Sequence, residues 1–60
     1  MMTTHIVDYC VRRWPHLQRR DVRRLIRKVY REERRSPFLR GEEELLFDVW
    51  LRVTQIYESC

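Results

Sequence analysis

The sequence predicts an all-α fold, a small three-helix bundle or helix-turn-helix-like domain. Three observations lead there. Apolar residues recur at helical spacing in three separate stretches. The stretches are divided by two short segments, each holding one of the two prolines. A single glycine is too few for the turns of a many-stranded β fold. With 60 residues the chain forms one domain, 1–60, and folds with a small core. Chains of this size bury only about 60% of the surface their unfolded form exposes, so oligomerisation often supplements the core.

The first helix is expected at about 4–13. Thr3 or Thr4 is a candidate N-cap, since a threonine hydroxyl can accept from the first free N–H groups. Ile6, Val7, Cys10, Val11 and Trp14 form one apolar stripe. Pro15 disfavours helical geometry at Trp14 and closes the segment, and Leu17 is expected to tuck into the core from the turn.

The second helix is expected at about 18–34, starting at Gln18 or Arg19. Val22, Leu25, Ile26, Val29 and Tyr30 make a narrow apolar face. Gln18 with Asp21 three residues on is a variant capping box, and Asp21 adds a negative charge where the helix dipole favours one. The thirteen residues from Trp14 to Ile26 carry an aromatic-Pro-x-Leu-x-x-x-Asp-Val pattern. It resembles the opening of some small helix-turn-helix domains of antitoxin-type proteins, and it is also a generic way to begin a helix. In the second turn Phe38 and Leu39 are expected to plug the end of the bundle.

The third helix is expected at about 42–58, opening on Glu42, Glu43 and Glu44, which suit a helix N-terminus. Leu45, Leu46, Val49, Trp50, Val53, Ile56 and Tyr57 cover a wide core-facing arc. Phe47 and Leu51 point to the far side, with Thr54 continuing their line. Phe47, Trp50, Leu51 and Thr54 are therefore the candidate partner or dimer interface, and a homo-oligomer through the third helix is expected. The acidic third helix and the basic second helix could also pair between molecules.

Charge is distributed unevenly. Between Arg12 and Arg35 lie eleven basic and three acidic residues, a local +8 in a chain of net +4. Twelve of the thirteen basic residues are arginine, a bias that codon usage in a GC-rich genome would also produce. On a helical wheel Arg20, Arg23, Arg24, Arg27, Lys28, Arg31, Arg34 and Arg35 share one arc opposite Val22 and Val29. Asp21 and Glu32 lie along its edge, positioned to pair with Arg24 and Lys28. Such a face wants an anion. The first reading is phosphate of DNA or RNA. The alternative is an adaptor or inhibitor that meets an acidic protein surface through the stripe, the third-helix patch, or both. A solvated charged face is the plainest use of the same residues. No Asn or Gln interrupts the arc, so base-specific readout would fall to Arg–guanine contacts.

Other functions are not expected. No nucleophile elbow, phosphate-cradling glycine loop or His-Glu metal signature occurs. The chain is therefore read as a non-enzyme, without catalytic residues or cofactor. Cys10, Cys60, His5 and His16 lack metal-ligand spacing, and Cys10 falls on an apolar face where cysteine acts as a small hydrophobe. A Cys10–Cys60 disulfide is disfavoured in a reducing compartment. No apolar run nears the roughly 20 residues of a membrane span, and no secretory leader is evident, so a soluble cytoplasmic protein is expected.

Overall fold

The computed structural model describes residues 2–37 and 39–59. Three helices follow one another: α1 (Thr3–Arg13), α2 (Arg19–Arg34) and α3 (Glu42–Ser59). Each boundary lies within one residue of the sequence expectation. Among the described residues there is no strand, and no helix is long and apolar enough to cross a membrane.

The helix starts differ from the expected caps. Met2, not a threonine, flanks α1: the His5 N–H donates to its carbonyl at 2.9 Å, and the Met2 N–H donates to His5 Nδ1 at 3.4 Å. Thr3 and Thr4 are thus the first residues of the helix itself. At α2, Gln18 occupies the N-cap but its side chain makes no cap bond, so the Gln18–Asp21 box does not form. The Asp21 and Val22 N–H groups instead donate to the Gln18 carbonyl, both at 3.1 Å. Asp21 still places its charge in the first turn.

The core is a seam of small and branched side chains. Ile6, Val7 and Cys10 of α1 meet Val22, Ile26 and Val29 of α2 and Leu46, Val49 and Val53 of α3. α2 packs along both other helices, whereas α1 and α3 touch more sparingly. That contact is reinforced by Tyr9 against Trp50, centroids 5.4 Å apart, and Trp14 against Tyr57 at 5.5 Å. The Cys10 thiol is fully buried, and desolvation pushes its pKa up, as befits a packing residue. Phe38 and Cys60, and with them the expected Phe38 plug and the Cys10–Cys60 question, lie outside the described residues.

Three side chains depart from the wheel. Thr54, expected on the exposed line, is only 6% exposed, and its hydroxyl donates to the Leu51 carbonyl at 2.9 Å. It falls between Trp50 and Tyr57, on the flank that α1 covers through Tyr9 and Trp14. Ile56, expected in the core arc, is 39% exposed, because it lies on the opposite edge of that arc from the covered flank. Leu39 is fully exposed and plugs nothing. Its neighbour Arg40 turns inward instead. Arg40 donates to the Glu33 carbonyl and to Asp48, and lies 3.8 Å from the Glu33 carboxylate, clamping the end of α2 to α3.

Two further pairs tie the helices together. Arg19 donates to Asp8 at 2.7 Å, joining α2 to α1, and this hydrogen bond holds the Asp8 carboxyl below its ordinary pKa. A depressed carboxylate contributes above its unfolded pKa and loses that contribution as pH falls through the folded value. Arg52 reaches Glu32 at 3.0 Å and Glu33 at 3.8 Å.

Arg40 and Leu39 make a paired test. Arg40 is 16% exposed at its side chain and satisfies charged partners, so Arg40→Ala should cost about 1–3 kcal/mol in urea unfolding. Leu39→Ala should stay within about 0.5 kcal/mol of the parent, as surface changes do.

Candidate nucleic-acid interface

Burial of Val22, Ile26 and Val29 fixes the rotation of α2 about its axis. The opposite arc must then face solvent, and it holds the basic residues. Arg20, Arg23, Arg24 and Arg27 are exposed, as are Lys28, Arg31, Arg34 and Arg35. The eight span about 22 Å along the helix at 1.5 Å per residue.

Pairing separates these eight cations from the structural arginines. Arg19, Arg40 and Arg52 each have a carboxylate partner in another part of the fold. Among the described residues, none of the eight on the arc makes an ion pair. The expected relief from Asp21 and Glu32 does not occur at Arg24 or Lys28. Glu32 and Glu33 are drawn toward Arg52 and Arg40 on the α3 side. Glu32 and Glu33 therefore join α2 to its neighbours and leave the basic arc without an ion pair among the described residues.

The arc is not one flat face. Arg23, Arg27, Arg31, Arg34 and Arg35 line a groove of about 860 Å³. Its other wall is the first turn of α1, with Met2, Thr3 and Thr4, and its floor is Val7, Ile26 and Leu46. Arg20, Arg24 and Lys28 do not line it. Tyr30 also borders the groove; the Arg34 guanidinium lies 5.8 Å from its ring centroid. The Tyr30 hydroxyl donates to Glu42 Oε1 at 2.8 Å, and that bond to a carboxylate raises the hydroxyl pKa. Glu42 is the one acid among the described lining residues.

The wall from α1 was missed by sequence reasoning. Its signal is faint: the first turn of α1 carries no acid, whereas α2 has Asp21 and α3 has three glutamates. Its uncapped N–H groups and dipole favour anions. Only the fold places that turn opposite the arginines, across some 20 residues of intervening sequence.

A second surface lies across α1 and α3. Phe47 is 50% and Leu51 39% exposed, with Trp50 half-buried between them and Phe47 centred 5.7 Å from the Trp50 ring. Thr54 is not part of it, being buried. Tyr9 of α1 joins instead, exposed and edge-on to Trp50. Its position beside Cys10 on the α1 wheel had given no reason to pair it with α3.

The unpaired arc carries a testable cost. Arg23, Arg27 and Arg31 are like charges at i,i+4 spacing, each such pair mildly unfavourable. Arg27→Glu turns two repulsive pairs into attractive ones. Thermal unfolding at low salt should show it more stable by about 0.5–1.5 kcal/mol, the gain shrinking as salt is added. An unchanged or lowered Tm would show that the arc is not under electrostatic strain.

Comparison with protein-family models, with curated proteins and with solved structures gives no match for the chain. The functional reading therefore rests on its own residues.

Proposed function

We propose that this is a small nucleic-acid-associated regulatory protein that contacts phosphates through α2. The observation that carries the reading is the sorting of its cations. Three of the five arginines outside the arc join helices through carboxylates, and Arg12 and Arg13 of α1 make no ion pair, while the eight cations gathered on the arc have no ion-pair partner among the described residues. A fold that keeps so many like charges together without internal compensation is suited to an external polyanion. Guanidinium groups bind phosphate oxygens in bidentate fashion, and each phosphate neutralised releases condensed counterions. The apolar seam beneath holds the charges on a rigid helix, so little order must be imposed on binding. With no amide side chain on the arc, contacts to the backbone dominate over base readout. Self-association through Phe47, Trp50 and Leu51, now with Tyr9, would set two basic faces in one assembly.

The aromatic patch supports a second reading, an adaptor that holds another protein through Tyr9, Phe47, Trp50 and Leu51. The two readings separate experimentally. Fluorescence anisotropy with DNA and RNA oligonucleotides should show affinity falling at least tenfold between about 50 and 200 mM salt. Replacing Arg23, Arg24, Arg27 and Arg31 by Glu should abolish binding, and Phe47→Ala with Leu51→Ala should leave the intrinsic phosphate contacts intact. Absence of binding at low salt would exclude the nucleic-acid reading, and loss of a protein partner on the Phe47 and Leu51 changes would favour the adaptor.

A further inference from the structure

We propose that the groove between α2 and the first turn of α1 holds the backbone of a single nucleic-acid strand, in preference to a duplex. This deepens the phosphate-binding reading and rests on it. The fold divides the eight cations: five turn into a concave groove and three face outward.

Shape decides the ligand. The five groove cations lie against the α1–α2 contact and not on an open face, so a ligand must enter the groove to meet them all. A duplex would rest on Arg20, Arg24 and Lys28 and leave the groove cations short of phosphate. A single strand can enter. From Arg23 to Arg35 the wall is about 18 Å long, enough for about five phosphates at roughly 3.4 Å per stacked nucleotide. The groove is open along its length and has a volume of about 860 Å³, which gives room for an extended ligand. Positively charged grooves that track a backbone are how single strands are bound without sequence preference.

The opposite wall fits the same ligand. The first turn of α1 brings Thr3 and Thr4 to the groove, with no acid among its residues. Strand phosphates would thus meet guanidinium groups on one side and a helix N-terminus on the other. Glu42 opposes an anion near Tyr30, but its carboxylate is engaged by the Tyr30 hydroxyl.

Two charge-matched variants test the division. One carries Arg23→Glu, Arg27→Glu and Arg31→Glu; the other carries Arg20→Glu, Arg24→Glu and Lys28→Glu. Anisotropy is read with 12-nucleotide oligo-U and oligo-dT, a 12-base-pair duplex and a poly-glutamate peptide at one salt concentration, with helix content checked by circular dichroism. The wild type should prefer the single strands to the duplex. The groove variant should lose at least tenfold more single-strand affinity than the outward variant. Equal losses, or a preference for duplex, would overturn the groove proposal while leaving phosphate binding in place. Poly-glutamate bound more tightly than the oligonucleotides, or no oligonucleotide binding by the wild type, would overturn both readings.

Thr4→Asp supplies a readout independent of arginine. An acid in the first turn of α1 suits the helix dipole, so Tm should hold or rise. The same charge faces the groove, so single-strand affinity should drop several-fold. Unchanged affinity would remove α1 from the site and overturn the two-walled groove.

Discussion

The surface of this protein depends on one seam. Val22, Ile26 and Val29 must leave water, and they do so against Ile6, Val7 and Cys10 on one side and Leu46, Val49 and Val53 on the other. Once that seam is buried, α2 has no rotational freedom, and every cation on its far arc is committed to solvent. Self-repulsion along the arc is thereby held in place by burial on the opposite side of the same helix.

Ion pairs then set three arginines apart from the arc, with Arg12 and Arg13 of α1 belonging to neither group. Arg19, Arg40 and Arg52 join helices, and Arg40 does so at the turn where a hydrophobic plug was expected. Two of the three acids of α2 are engaged in these joints, Glu32 and Glu33 facing α3 and not Lys28. Structure and charge display are therefore coupled. Glu32 and Glu33, which could have neutralised the end of the arc, join helices instead.

Much of this was legible in the chain. Helical period located three helices to within a residue, because apolar spacing reports directly on which face of each helix is buried. The basic arc followed from the same arithmetic. What could not be read was the covering of helix flanks by neighbours. Thr54 is buried because α1 overlies its side of α3, whereas Ile56, on the opposite edge of the arc, is 39% exposed. A wheel orders positions around one helix but is silent about the next. For the same reason the groove escaped notice: its arginines were evident, whereas Thr3 and Thr4 belong to another helix. The aromatic patch was half legible, with Phe47, Trp50 and Leu51 expected and Tyr9 supplied by the packing of α1.

The central claim is that the unpaired arc, and not the paired arginines, meets phosphate. Nitrogen-15 correlation spectra of the arginine Nε–Hε groups, titrated with a short single strand, test it most directly. The account predicts that signals of Arg23, Arg27 and Arg31 shift in proportion to bound strand, while those of Arg19, Arg40 and Arg52 stay put. Shifts spread evenly over all arginines, or confined to residues around Phe47 and Leu51, would contradict it.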